Sequence, residues 1–162
     1  MLSRKIIAAS ISGTLFVILL GFVSPDPFEE ETVVAQNYLY SALSIMYGYL
    51  LFSFPVILGY GILSSIFSDI VAKFLSKKLG KENVEMIISG ILHIVFGLVI
   101  LPYSLAASIL FFVTDRILKK QKENFHWSKA IKSFLLPFAL SIVSMGTAWI
   151  VEFISNFEDY LV

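Results

Sequence analysis

Residues 86–120 read MIISGILHIVFGLVILPYSLAASILFFVTDRILKK, and the way this stretch is cut decides how often the chain crosses a membrane. Apolar residues run almost unbroken from Met86 to Val113. One helix of about 28 residues would be roughly 42 Å long, well beyond a hydrocarbon core of about 30 Å. Cut at Pro102, the stretch yields two segments, 84–101 and 103–118, each near the lower limit of about 17 residues for a span. Pro102 removes a backbone donor and disfavours helix at Leu101. Tyr103 and Ser104 suit an interface with water. A third cut makes the second half re-entrant, which needs protein cover for its backbone.

Charge chooses among the three. Lys73, Lys77, Lys78 and Lys81 precede the stretch, and Arg116, Lys119, Lys120, Lys122, Lys129 and Lys132 close or follow it. Basic residues in short loops favour the cytoplasmic face. Both groups reach that face only if the chain goes out and comes back between them. The expectation is a helical hairpin with a tight outer turn at Pro102.

Composition agrees with a membrane class. Of 162 residues 57% are apolar and 15% charged, more apolar surface than one soluble domain can hide. The whole chain, 1–162, reads as a single integral membrane domain. With no cysteine, disulfides and thiolate metal sites are excluded.

Outward from the hairpin, the first apolar run, 6–23, follows Arg4 and Lys5 and fits one span; it reads as a retained anchor rather than a signal peptide. Ala9 and Gly13 form a small pair four residues apart on which another helix can approach closely. The loop SPDPFEEETVVAQN, 24–37, is acidic and free of basic residues, as an outer loop is when the first helix starts inside. The next apolar stretch, 38–68, opens on an aromatic belt of Tyr38, Tyr40, Tyr47 and Tyr49, so its span is placed at 42–67. Pro55, with Gly59 and Gly61 beyond it, is expected to kink that helix. Leu79-Gly80 reads as a helix stop.

The third span, 84–101, carries His93, read as the one ionisable side chain deep in any span. Gly90 and Gly97 share its face and suit tight packing. His93 is either a proton- or substrate-handling group or a polar tie between helices. The fourth span, 103–118, holds the small pair Ser104 and Ser108. Its end, VTDRILKK, resembles the end of the second span, FSDIVAKF. Each Asp has Lys four residues on, so helical ion pairs Asp69–Lys73 and Asp115–Lys119 are expected. Parallel helices would bring Asp69 and Asp115 to one depth, able to bind a cation or to pair with Arg116, or simply marking where a helix leaves the bilayer. The last span, 132–151, ends at Trp149, followed by Glu152, Glu158 and Asp159.

Five spans with a cytoplasmic N-terminus and an outer C-terminus put every Lys and Arg at the inner face. The fold class expected is therefore all-α, a polytopic bundle of five transmembrane helices. No phosphate loop, zinc motif or nucleophile elbow is present in the sequence. The reading is of a non-enzymatic protein with no cofactor, no metal site and no nucleic-acid partner. Its partners are the bilayer, with anionic inner-leaflet lipids, and a second copy or another membrane protein. Small-residue faces without a buried charge pair favour a structural or regulatory role. The alternative is a transporter or channel subunit using His93, Asp69 and Asp115.

The segments GILSSIFSD (61–69), ILHIVFG (91–97) and LAASILFFVTD (105–115) resemble an uncharacterised family of small multi-pass membrane proteins from Bacillus-type bacteria. The resemblance implies a bacterial cell membrane and no particular activity.

Overall fold

Long apolar stretches separated by short polar breaks fold into rods, because in hydrocarbon a helix satisfies its own backbone groups. The computed structural model describes residues 1–27, 38–80, 83–100, 102–121 and 124–156, and within them the chain is all-helical. Helix α1 covers Leu2–Val23. Helix α2, Tyr38–Val56, passes through a π-helical turn, Ile57–Gly61, into α3, Ile62–Leu79. Helices α4, Asn83–Ile100, and α5, Pro102–Lys120, follow. A short α6, Trp127–Ser133, leads into α7, Leu135–Ser155. Because α2 to α3 and α6 to α7 are each continuous rods, the described residues form five rods. Three of them, Leu2–Val23, Tyr38–Leu79 and Trp127–Ile154, are long and apolar enough to cross a membrane.

The rods alternate in direction. At the far end of α1, the Tyr38 and Tyr49 hydroxyls donate to the carbonyls of Phe22 and Ser24, which sets α2 antiparallel to α1. The Ser144 hydroxyl of α7 donates to the Leu43 carbonyl and accepts from the Tyr47 N–H at 2.8 Å, entering the α2 hydrogen-bond ladder. Lower down, the rings of Phe54 and Phe134 meet edge to face at 6.0 Å, so α2 and α7 are antiparallel as well. Helices α4 and α5 lie side by side in opposite directions, with residue 97 beside 104 and 108 and residue 85 beside 119. One continuous helix through 86–113 is thereby excluded.

The expected small-residue face of α1 is a close contact. Ala9 is fully buried, and a Cβ at Gly13 would come within 3.0 Å of the Phe54 ring. At the end of α3, Gly80 adopts φ +65°, the left-handed conformation that stops a helix. The bend expected at Pro55 takes a specific form. The helix continues past the proline and widens into the π-turn two residues later, one of the recognised ways in which a freed carbonyl is accommodated.

Several helix ends differ from the sequence-based spans, among them the start of α2 at Tyr38 rather than 42 and the end of α5 at Lys120 rather than 118. Helix α1 begins at Leu2 rather than Ile6, so Arg4 and Lys5 belong to the helix. The second rod runs on to Leu79, beyond the expected limit at 67. The rod containing α7 begins at Trp127, before the expected 132, and α7 itself runs to Ser155. Glu29, Glu30, Glu31, Glu158, Asp159, Lys81, Lys122 and Leu101 of the Pro102 turn lie outside the described residues.

Polarity is inverted relative to a water-soluble core. Lys5 is 0% exposed, whereas Phe52 is 76% exposed and Phe138, Ile142, Met145 and Trp149 form an uncovered apolar stripe on α7. Water would penalise both arrangements; a surrounding hydrocarbon phase favours the second and forces the first to be fully paired.

Candidate functional site

The start of α1, the middle of α3, the start of α4 and the end of α5 converge at one end of the bundle, and their charges meet there. Lys5 of α1 is the centre. Its ammonium has three protons, and Nζ finds three acceptors: Ser65 Oγ at 2.6 Å, Asp69 Oδ2 at 2.7 Å and Asp115 Oδ2 at 2.8 Å. Asp69 and Ser65 come from α3 one turn apart, and Asp115 comes from α5, so one side chain ties three helices together.

The outer lobes of the carboxylates are occupied too. Arg4 Nε donates to Asp115 Oδ1 at 2.8 Å, with Nη2 3.4 Å from Oδ2. Arg116 Nη2 donates to Asp69 Oδ1 at 2.9 Å and also to Ser89 Oγ on α4. The Arg116 guanidinium lies over the Phe112 ring at 5.1 Å, a cation–π contact strengthened by burial. Ser89 Oγ in turn donates to Asp69 Oδ1 at 3.3 Å. The cluster thus sets three cations against two carboxylates.

This revises three sequence-based expectations. His93 is not the only ionisable side chain buried within the helices: Lys5, Asp69 and Asp115 are buried as well. The absence of a buried charge pair, which favoured a structural role, does not hold. Asp69 and Asp115 do not turn to Lys73 and Lys119 along their own helices; Lys119 pairs with Glu85 across the hairpin at 3.0 Å. A contact between helices removes a carboxylate from solvent, whereas an i,i+4 pair leaves it on the surface, where it contributes only a few tenths of a kcal/mol. Between the two aspartates, where a bound cation would sit, is the ammonium of Lys5. Among the described residues no three His, Asp or Glu gather as metal ligands.

His93 lies one turn deeper on α4 than Ser89. Its ring is 3% exposed, stands 5.1 Å from the Phe112 ring and 6.3 Å from that of Phe111, and places Nδ1 2.8 Å from the Ser89 carbonyl oxygen. Its Nε2 is buried with no hydrogen-bond partner among the described residues. A cavity of about 50 Å³ adjoins it, bounded by Tyr60 and Gly61 of the π-turn, Ser64 of α3, and Ser104, Ser108 and Phe111 of α5.

The small residues of the hairpin close its seam. A Cβ at Gly97 would fall 2.9 Å from Ser108 Cβ and 3.0 Å from Leu105 Cα, and one at Gly90 would fall 3.3 Å from Phe112 Cζ. Ser104 donates to the Gly97 carbonyl and Ser108 to the His93 carbonyl at 2.6 Å. A second, polar hollow of about 390 Å³ opens beside the ion cluster at the basic end of the bundle, bounded by Arg4, Lys119, Asn124 and His126 among others.

Lys5, Arg4, Ser65 and Ser89 are the members that sequence reasoning missed. Lys5 was legible in part. The Ala9–Gly13 face, carried back by the same four-residue step, lands on Lys5, so a lysine was due to enter a close helix contact. Comparison of the chain with protein-family models, curated proteins and solved structures finds no match.

Proposed function

We propose that the chain is a five-span integral membrane protein of the cell membrane that acts without catalysis, as a structural or regulatory component holding a membrane partner or a second copy of itself through its helix faces. The observation that carries this reading is the pairing of the Lys5 ammonium and of both carboxylates in the ion cluster, in which Arg116 Nε is the buried group without a partner among the described residues. Each proton of the Lys5 ammonium has an acceptor, and each carboxylate has cations from neighbouring helices. A centre closed in this way holds helices in register and leaves no vacant position between Asp69 and Asp115 for a passing ion. The resemblance to small membrane proteins of Bacillus-type bacteria points to a bacterial plasma membrane.

Five spans are supported by the alternation of the rods and by the collection of basic residues at one bundle end. On this reading that end is cytoplasmic, the C-terminus is outside and the Pro102 turn is outside. Trp127, Lys129 and Lys132 then lie at the inner headgroups, where each base contributes about 1 kcal/mol of attraction to anionic lipid. The native chain has no cysteine, so single cysteines report cleanly. Tyr103→Cys and Asn156→Cys are expected to react with an impermeant maleimide added outside intact cells, and Ser128→Cys only after the membrane is opened. All three positions are exposed. Labelling of Ser128→Cys in intact cells would overturn the topology. The partner is tested by crosslinking in native membranes from cysteines at Ile142 and Met145 on the uncovered stripe. Recovery of monomer alone, with no reproducible neighbour, removes the structural reading.

One observation favours a second reading, a transporter or channel subunit: the cavity beside His93, next to a π-turn in a proline-containing helix. Ion and proton flux in proteoliposomes, comparing the parent with His93→Ala and Asp115→Asn, decides it. No flux under any gradient eliminates it.

A further inference from the structure

The ion cluster carries one positive charge more than its carboxylates neutralise: Arg4, Lys5 and Arg116 stand against Asp69 and Asp115. A charge left over where screening is weak favours a counter-anion nearby. Arg4 is the member with hydrogen-bonding capacity to spare on an open side. Its Nε and Nη2 are turned to Asp115, which leaves Nη1 on the opposite edge of the guanidinium. Among the described residues Nη1 has no partner, and it is not buried.

Arg4 borders the polar hollow of about 390 Å³. Lys119 of α5 lines it as well, and only one of the three protons of its ammonium is directed to Glu85. Asn124 and His126, both exposed, add polar groups from the connection leading into α6. Donors therefore reach the hollow from three parts of the chain, and among the described residues no Asp or Glu lines it. A phosphate group fits such a wall: it is anionic, its oxygens accept from several directions, and Arg and Lys are its usual protein partners. The volume lies within the roughly 300–1,000 Å³ of small-molecule sites, so phosphate can enter together with the alcohol it esterifies. Leu118 and Phe125 supply an apolar part of the wall that suits the carbon portion of the ester.

We propose that this hollow binds an anionic phosphate ester, with Arg4 Nη1 and the Lys119 ammonium as its charged anchors and Asn124 and His126 at its polar wall. Bound there, the anion offsets the surplus charge of the ion cluster through Arg4. The bilayer offers the group as an anionic phospholipid headgroup, and water offers it as a soluble phosphate ester. The headgroup source rests on the proposed membrane reading; the site itself does not.

The test is binding to the full chain in neutral detergent micelles. Native mass spectrometry compares phosphatidylglycerol with phosphatidylcholine, and titration calorimetry follows glycerol phosphate. One phosphatidylglycerol retained per chain in preference to phosphatidylcholine assigns the source to the bilayer; saturable one-to-one binding of glycerol phosphate assigns it to water. Asn124→Asp places a carboxylate in the hollow at an exposed position, and the like charge is expected to weaken binding about tenfold. Lys132→Gln lowers the net charge by the same one unit at an exposed position that does not line the hollow, and is expected to leave binding within about twofold of the parent. Binding that Asn124→Asp leaves intact, or that both variants weaken equally, is diffuse attraction to the basic end and overturns the proposal. Failure of both probes to bind one-to-one overturns it as well. Binding in micelles is independent of sidedness, so the maleimide labelling of Ser128→Cys reads the topology separately.

Discussion

Replacing Lys5 by methionine is expected to destabilise the protein by about 3–5 kcal/mol, the range found when one member of a buried ion pair is removed. Two carboxylate oxygens, one on Asp69 and one on Asp115, lose the ammonium that stands 2.7 and 2.8 Å from them. They then face each other in a medium that screens charge poorly. Arg4 and Arg116 remain on the outer lobes, which limits the loss but does not fill the centre. Asp115→Asn should cost less, about 1–3 kcal/mol, because Lys5 keeps Asp69 and Ser65 and an amide oxygen still accepts a hydrogen bond. The informative variant is the double one. Lys5→Met with Asp115→Asn removes one charge of each sign and should recover at least half of the single-variant loss. Unfolding in mixed micelles measures all three. A Lys5→Met protein as stable as the parent would show that the cluster is not a clamp.

Gly97→Val is the other large effect, expected near the upper end of the 1–3 kcal/mol range typical of overpacking. Its Cβ would fall 3.0 Å from the Leu105 Cα, and backbone cannot rotate aside as a side-chain tip can. Helix α5 has to move away from α4, stretching the bonds from Ser104 to the Gly97 carbonyl and from Ser108 to the His93 carbonyl. Gly90→Ala is the control on the same face. Its obstruction is the far edge of the Phe112 ring at 3.3 Å, which can turn, and alanine gains about 0.5–1 kcal/mol in helix preference over glycine. The expected result is a marked loss for Gly97→Val and little change for Gly90→Ala. Equal losses would mean that the hairpin seam is not held by close backbone approach at Gly97.

Local pattern carried the all-helical class with rods apolar enough to cross a membrane, the antiparallel cut near Pro102 and the stop at Gly80, because each rests on the chemistry of a few adjacent residues. A proline without an N–H and a glycine at positive φ act where they stand. The ion cluster rests instead on residues 64 and 110 positions apart, and no periodicity links Lys5 to Asp69 or Asp115. Arg4 and Lys5 have the composition of an ordinary basic flank, and only the register of the Ala9–Gly13 face distinguishes one of them. The likeness of the helix ends containing Asp69 and Asp115 pointed to a common depth, but it suggested partners along each helix when the partner comes from α1. The π-turn after Pro55 was hidden for a related reason: sequence marks where a ladder must be interrupted, while the packed neighbours decide how the slack is taken up.

The ammonium at the centre of the bundle also imposes an order on biogenesis. On the proposed five-span reading, Lys5 is translated 64 and 110 residues ahead of its acidic counter-ions, and until they arrive its ammonium can reach back along its flexible stem to the headgroup layer. The packing of α1 against α3 and α5 can be completed only once α5 has been made.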